Sequence, residues 1–438
     1  MTLTYKKKDI NFQDSILLLN NSLRTLSHDF EVETVKGHFP HNWITQEKLD
    51  YIGPKPDITS FPDISIKEYQ EILEPYNLKV ECLKYLEADC VSLYQVLNKF
   101  QADIFKLTKI DPLVSNTIAS LSNKVWRYLD KKNLLNLRSI PMGAKIHGII
   151  RKAYYGGICE VYAPHIKGGI KYDVNSLYPH IMNSVKFPVG SPIFSSQKDL
   201  NFYYGFCYAK INTAEVLIKG LLPYRFNNML MTPLGKFEGW YYSEELKLAE
   251  KLGYKIEVLY GIHWKQRSSI FTNFYNVFAK LKMESTGSIR AIAKLILNSN
   301  YGFLGLSEDI SKSEIIKKSD AVKDNSEQNI ETLNEELCIQ TRELREDEET
   351  NVDKDYLDTI NIAVAAIIAA EARMFMLQYR LDSKTAYTDT DSIIASGTEP
   401  LDNMSIDPTK LGSFKIEEAF KEFTAIKKKI TADPEGVN

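Results

Sequence analysis

The sequence has no Cys-x-x-Cys pair, no apolar run long enough to span a bilayer and no strong excess of charge of either sign. Its five cysteines, Cys82, Cys90, Cys159, Cys207 and Cys338, are scattered rather than densely and evenly spaced. That excludes a disulfide scaffold and favours a reducing compartment. His38 and His41 are candidates for a metal pair, but no Cys or third His stands at finger-like spacing, so capping or solvated histidines in a turn are expected. The longest apolar run, Ile362 to Ala370, falls far short of the ~18 residues of a membrane span, and no membrane partner is expected. The N-terminal MTLTYKKKDINFQDS has neither the apolar core of a secretory signal nor the Arg- and Ser-rich pattern of an import sequence. The net charge of -3 leaves nucleic-acid binding open, because that footprint is local rather than summed over a chain.

With 438 residues, 44% hydrophobic and 25% charged, the chain has material for two or three domains. Short apolar stretches with Pro and Gly punctuation fill residues 1–105, ending in a helical pattern from Glu81 to Phe100, as in part of an α/β domain. Helical spacing continues from Pro112 to Gly148. Tyr154-Tyr155-Gly156-Gly157 then breaks the chain before strand-like runs at Ile158 to Ala163 and Gly169 to Val174, where a second domain is expected to begin. Short strands with Gly and Pro turns lie between Ser191 and Lys265, notably Leu221 to Trp240, with an amphipathic helix around Ser243 to Lys251 and a helical stretch from Arg267 to Asn300 interrupted at Gly287. Residues 307–358 are polar and turn acidic (Glu343, Glu346, Asp347, Glu348, Glu349, Asp353, Asp355, Asp358), which reads as a solvated surface insertion. The nearly all-apolar segment Ile360 to Leu377 is expected to be a helix buried against a sheet, followed by a strand pair from Thr385 to Ser396.

Three constellations carry chemistry. In Lys171-Tyr172-Asp173-Val174-Asn175-Ser176-Leu177-Tyr178-Pro179 a strand delivers Asp173 to its end, a turn begins, and Pro179 helps to stop the strand. In Tyr387-Thr388-Asp389-Thr390-Asp391-Ser392 two acids stand one residue apart between apolar flanks. On an extended chain residues i and i+2 face one side, and two like charges in an apolar hairpin call for a cation. Together with Asp173 they could hold two Mg²⁺ ions, with Mn²⁺ as a substitute, one activating a 3′-hydroxyl and one stabilising a leaving pyrophosphate. The third, Arg290 to Gly302, repeats Arg290, Lys294 and Asn298 at i+4 and places Tyr301 seven residues after Lys294. One helix face would then be polar, with Lys280 and Lys282 upstream, while Ile292, Leu295 and Ile296 turn away. Lys294 and Tyr301 would stand about 10 Å apart, comparable to the reach from a nucleotide's outer phosphates to its base.

Together and in this order, these segments resemble motifs A, B and C of family B DNA polymerases, most closely the protein-primed branch of phages, adenoviruses and linear mitochondrial plasmids. Tyr154-Tyr155-Gly156-Gly157 is similar to that branch's YxGG element. Leu222-Pro223-Tyr224-Arg225 through Gly235-Lys236-Phe237-Glu238-Gly239-Trp240 to Leu246 resembles its first insertion, and residues 307–358 occupy the place of its second. The resemblance implies an α+β fold: a family B palm and fingers, a partial α/β (RNase H-like) exonuclease domain and an incomplete thumb. The domains it implies are exonuclease-like 1–110, linker and start of palm 111–190, first insertion 191–265, fingers 266–306, second insertion 307–358, and palm with the thumb's start 359–438.

It also implies residue roles. Asp173, Asp389 and Asp391 would be catalytic metal ligands. Val174, Ser176, Leu177, Tyr178, Lys282, Arg290, Lys294, Asn298 and Tyr301 would bind the nucleotide, with Tyr178 as a gate against a 2′-hydroxyl. Tyr154, Gly156, Gly157 and Thr390 would contact DNA. The implied partners are template and primer DNA, dNTPs and a terminal priming protein. The implied location is the mitochondrion, with a viral or cytoplasmic alternative.

Some segments depart from the pattern. Tyr85 and Asp89 resemble the third exonuclease motif and Phe12-Gln13-Asp14-Ser15 a neighbouring segment, but the first two exonuclease motifs have no counterpart, so proofreading is not expected of this chain. Leu411-Gly412-Ser413-Phe414-Lys415-Ile416-Glu417 continues the pattern, whereas Lys429-Ile430-Thr431 stands where a Lys-x-Tyr primer grip belongs; Asn300 and Phe303 also differ. The chain reads as truncated at both ends. Alternatives are a non-catalytic remnant that binds DNA and a stand-alone two-metal nuclease, the latter leaving the Lys294 to Tyr301 face unexplained.

Overall fold

The computed structural model describes residues 2–5, 8–34, 37–62, 64–134, 144–213, 218–227, 229–306, 311–320, 330–343, 360–427, 430–433 and 436–437. The chain divides into two units, residues 1–131 with 271–300, and residues 132–270 with 301–438. Most of the acidic run, Glu346 to Asp358, and Lys429 lie outside the described residues.

The first unit is built on the helix Leu78–Thr108, longer at both ends than its apolar pattern predicts. Asn77 caps its start by accepting from Val80 N–H, and Lys109 ends it at φ 60°. Phe30 and Phe100 meet edge to face at 6.4 Å, and buried Ser27 and Ser92 share a hydrogen bond of 2.6 Å. Among the unit's described residues the sheets are two two-stranded pairings, and the rest of its regular structure is helical. The helices Thr272–Glu284 and Gly287–Leu304 break at Ser285 and Thr286, and the second starts at Gly287 with φ +56°, beside Glu31, where a side chain would be strained. Both Asp130 oxygens accept from the first helix's start (Asn273 and Phe274 N–H, 3.1 and 2.9 Å), and Ser122 Oγ donates to Ile296 O. This stretch, which falls within the expected fingers segment 266–306, packs on residues before 132.

The second unit is centred on a seven-stranded antiparallel sheet. From one edge its order is Gly436–Val437, Ile430–Asp433, Phe414–Lys427, His165–Val174, Ser392–Ser396, Thr385–Asp389 and Cys159–Val161. Alternation in His165–Val174 buries Ile170, Tyr172 and Val174 and leaves Lys171 and Asp173 half-exposed. Pro179 does not stop this strand. It lies in the first turn of the helix Leu177–Ser184, where its missing N–H has no intrahelical acceptor to lose. The helix Ile362–Leu381 is long and apolar enough to cross a membrane by length and composition, although its longest uninterrupted apolar run is shorter. Its most apolar window is 78% buried inside the protein, which makes it a core helix, packed through Phe375 and Tyr379 on Phe414.

A second sheet orders the strands Lys236–Tyr242, Gly205–Asn212, Lys255–His263 and Ile193–Ser195, backed by the helix Ser243–Lys251, whose bounds the sequence gives. Part of the polar stretch read as a solvated insertion is a three-stranded sheet of Ser311–Lys317, Leu337–Glu343 and Ile330–Thr332. Cross-strand pairing at Ile315–Ile339 and Ile316–Cys338 supplies it with apolar contacts too few to signal a domain in the sequence.

The core helix carries one buried ion pair. Arg373 donates through Nε and Nη2 to both oxygens of Glu245 (2.7 and 2.8 Å), the two side chains being 3% and 6% exposed, and through Nη1 to the carbonyls of Tyr155 and Gly156. Removing one partner strands the other charge in the interior. Arg373→Met is therefore expected to destabilise the chain by about 3–5 kcal/mol, and Arg373→Met with Glu245→Leu to recover most of the loss. Urea unfolding followed by tryptophan fluorescence measures both.

Candidate active site

The strand register brings the acids together. Across the sheet Asp389 pairs with Ser392, Ser392 with Asp173, and Asp173 with Lys415, so these four residues form a row on one face. Asp389 and Asp173 are two strands apart, about 10 Å between Cα atoms. Asp391 reaches the row differently from the i, i+2 geometry that an extended strand would give. Thr390 and Asp391 form the two-residue turn between strands Thr385–Asp389 and Ser392–Ser396, with Thr390 at φ +57°. The tight turn, not strand alternation, sets the two carboxylates. Val174 N–H donates to Asp391 O and Thr390 N–H to Ile158 O, both at 2.9 Å, pinning the turn to the neighbouring strand ends. Thr390 Oγ1 donates to Asp389 Oδ1 at 3.2 Å.

Charge at this row is partly compensated. Lys415 Nζ lies 3.1 Å from Asp173 Oδ1 and 2.8 Å from Glu417 Oε1, while Lys171 Nζ lies 3.0 Å from Glu417 Oε2. Burial still holds the Asp173 carboxyl above its ordinary value. Asp391, which has no such ammonium, is pushed up to about 6 by burial and then by the charges of Asp173 and Asp389. Carboxylate oxygens that raise one another's pKa are the donor set a hard divalent cation suits. Among the described residues, no three His, Cys, Asp or Glu side chains converge closely enough to hold an ion as they stand, in keeping with the spread of the row and the ammonium on Asp173. Elsewhere, His38 Nδ1 lies 2.7 Å from Pro62 O and its Nε2 3.7 Å from Glu68 Oε1, while His41 Nε2 meets the Tyr85 hydroxyl at 3.3 Å.

Beside the acids stands an aromatic group. Tyr178 stacks on Tyr301 with centroids 4.2 Å apart, and Tyr154 Oη donates to Tyr301 Oη at 3.0 Å. Burial, followed by the charge of Asp391, pushes the Tyr178 hydroxyl up to about 12, so it is a neutral donor. A Cβ at Gly157 would lie 2.5 Å from Thr390 Oγ1, so the Tyr154 to Gly157 segment and the Thr390–Asp391 turn touch where only glycine fits. Val174 ends its strand, Ser176 takes φ 51° before the helix, and Leu177 is buried. Tyr85 stacks on Phe39 at 4.8 Å on the long helix of the other unit, which also carries Asp89.

In that other unit, Arg290, Lys294 and Asn298 are exposed while Ile292, Ala293, Ile296 and Leu297 are buried, as the period implies. Arg290 Nη1 donates to Lys282 O at 3.0 Å, joining the two helices' basic ends.

The family of type B DNA polymerases, organellar and viral, matches residues 1–384. The chain belongs to this family. A "Probable DNA polymerase" of Neurospora intermedia is 33% identical over 97% of this chain and 46% of its own length, and one of Podospora anserina is 32% identical over 94% and 37%. The chain thus spans less than half the length of these curated relatives. A solved structure of phi29 DNA polymerase with primer-template DNA and incoming nucleotide substrates shares the fold, with a TM-score of 0.66 at 22% identity over 95% of this chain and 66% of that one. Enzymes of this family generally use divalent metal.

Several residues at this candidate site were given no role by the motif reading: Lys415, Glu417 and Lys171 on its face, and Arg373 with Glu245 behind it. The signals were present. Lys171-x-Asp173 and Lys415-x-Glu417 are charged pairs at strand spacing, and Arg373 is a charge inside an apolar helix. What was missing was which strands pair.

Because the folded Asp391 carboxyl titrates near 6 rather than near 3.8, its protonated form is the stabilising one. That contribution is complete below about pH 4 and lost as pH rises through 6. In EDTA, Asp391→Asn should therefore melt roughly 2–5 °C above the parent at pH 7.5 and level with it near pH 4. Thermal scans across this range check it.

Proposed function

We propose that the chain is a template-directed DNA polymerase that adds dNTPs to a 3′ end by two-metal phosphoryl transfer. What supports this most is the row Asp389, Ser392, Asp173 completed by Asp391 in its turn, a set of like charges with no structural benefit beside a stacked Tyr178–Tyr301 pair. Two Mg²⁺ ions, when bound, supply activation of the attacking hydroxyl and stabilisation of the leaving pyrophosphate. Asp173 and Asp391 would hold them with help from Asp389. The exposed residues Lys294, Arg290 and Asn298, with Lys282, would neutralise and orient the triphosphate, each cation acting where the phosphates carry charge. Val174, Ser176 and Leu177 would offer the turn and helix start beside it. Tyr178, held flat by Tyr301, would lie under the sugar and reject a 2′-hydroxyl by occupying its space. Tyr154, Gly156, Gly157 and Thr390 would meet the DNA.

The finer reading rests on the motif resemblance to the protein-primed branch: a chain started from a terminal protein, replicating a linear mobile element, with the mitochondrion as its place of work. The domain roles set out above, from the exonuclease-like residues 1–110 to the thumb's start, belong to the same proposal. A binding-only role remains the second reading, favoured by one observation, the Lys415 ammonium on Asp173.

Asp173→Asn or Asp391→Asn should abolish primer extension, a loss of at least about a thousandfold given the electrostatic share of such catalysis. Each swap keeps the side chain's size and removes its charge. Mn²⁺ with a dNTP should raise the melting temperature of the parent and not that of Asp391→Asn. A parent stabilised in this way but unable to extend a primer would leave the binding-only reading standing.

Tyr178→Val should admit ribonucleotides, raising the rNTP-to-dNTP incorporation ratio by at least about tenfold with dNTP addition retained. Single-nucleotide extension assays measure the ratio, and an unchanged value removes Tyr178 from the role of gate.

A further inference from the structure

We infer that Lys415 is a built-in counter-cation of the carboxylate row: its ammonium neutralises Asp173 in the metal-free chain and must leave that carboxylate when a divalent cation takes it. The inference rests on the reading of Asp173 and Asp391 as metal ligands.

Three observations carry it. The register of strands His165–Val174 and Phe414–Lys427 sets Lys415 directly opposite Asp173 on the face that bears the acids, so the contact is fixed by backbone pairing rather than by a chance rotamer. Nζ is shared between Asp173 Oδ1 at 3.1 Å and Glu417 Oε1 at 2.8 Å, so the ammonium keeps an acceptor if it gives up Asp173. Lys171 holds the other Glu417 oxygen at 3.0 Å, so that acceptor is itself anchored. A register shift between Ile416 and Glu418 lies beside these contacts and gives the strand an extra residue where Glu417 turns to Lys171.

The physics follows from charge and stem length. Without a cation, carboxylates gathered at one sheet end repel one another, and a single ammonium on Asp173 lowers that repulsion at half-buried, low-dielectric positions. A lysine suits exchange because its ammonium is a point charge on a flexible four-carbon stem and can move without disturbing the strand. The consequence is a threshold: a divalent cation gains Asp173 only by breaking an existing ion pair. Lys415 is thus a positioning residue, one that keeps the acids in place between binding events and lowers their affinity for metal.

The test uses the full chain without nucleotide or DNA. Mn²⁺ binding is measured from the electron paramagnetic resonance signal of the free ion, and thermal melting in EDTA is recorded beside it. Lys415→Met keeps the stem and removes the charge. It should bind Mn²⁺ about tenfold more tightly than the parent while melting at a lower temperature in EDTA, two changes of opposite sign that a merely structural lysine would not give together. Lys415→Arg should bind Mn²⁺ several-fold more weakly, because a guanidinium grips a carboxylate through two hydrogen bonds and yields it less readily. Mn²⁺ affinity in Lys415→Met equal to or below the parent's would overturn the inference. If that variant does not fold, Lys415→Arg decides alone, with unchanged or tighter binding overturning it. A parent whose Mn²⁺ binding is absent, or is not reduced by Asp391→Asn, would instead overturn the assignment of the carboxylates, a result distinguishable from failure of Lys415 to compete.

Discussion

Mutual repulsion among Asp173, Asp389 and Asp391 is the constraint around which the sheet-bearing unit is arranged. Three acids at one end of an antiparallel sheet would not stay together unless the backbone compelled them. Here it does so through a two-strand register, a two-residue turn with Thr390 in the left-handed region, and hydrogen bonds from Val174 and Thr390 that close the turn on its neighbours. The charge stays costly, as the raised Asp391 carboxyl records. Such a site stores electrostatic stress that a bound cation would relieve, a common trade of stability for function.

Support for that turn comes from behind. Arg373, buried with Glu245 as a fully hydrogen-bonded pair, holds the carbonyls of Tyr155 and Gly156. Gly157 then rests on Thr390, and Tyr154 reaches the hydroxyl of Tyr301, which stacks on Tyr178. One side chain from the core helix thereby joins the second sheet's backing helix, the glycine segment and the aromatic group in a single packed set. Desolvating an arginine and a glutamate is expensive, and what it secures here is position.

Much of this was legible in order along the chain. Helix Ser243–Lys251 and the strand pair from Thr385 follow from periodicity alone, and the exposed row Arg290, Lys294, Asn298 obeys the 3.6 period that places it opposite Ile292 and Ile296. Less legible were features that depend on what a segment meets. Pro179 reads as a strand stop until a helix begins two residues before it, and Ser311–Lys317 gives no strand signal until Leu337–Glu343 pairs with it.

The sequence by itself determined which residue types could do chemistry: carboxylates bracketed by apolar strands, a basic row ending in a tyrosine, and paired glycines after two aromatics. These are local patterns, fixed by spacing along one chain segment. Only tertiary structure decided that Asp389 ends a strand while Asp391 lies in the turn after it, rather than both along one strand, that Lys415 faces Asp173, and that Arg373 finds Glu245. Each of these joins residues from different elements, the pairs with Asp173 and Glu245 well over a hundred positions apart, and strand register and helix packing are set by the whole core rather than by any segment's own pattern.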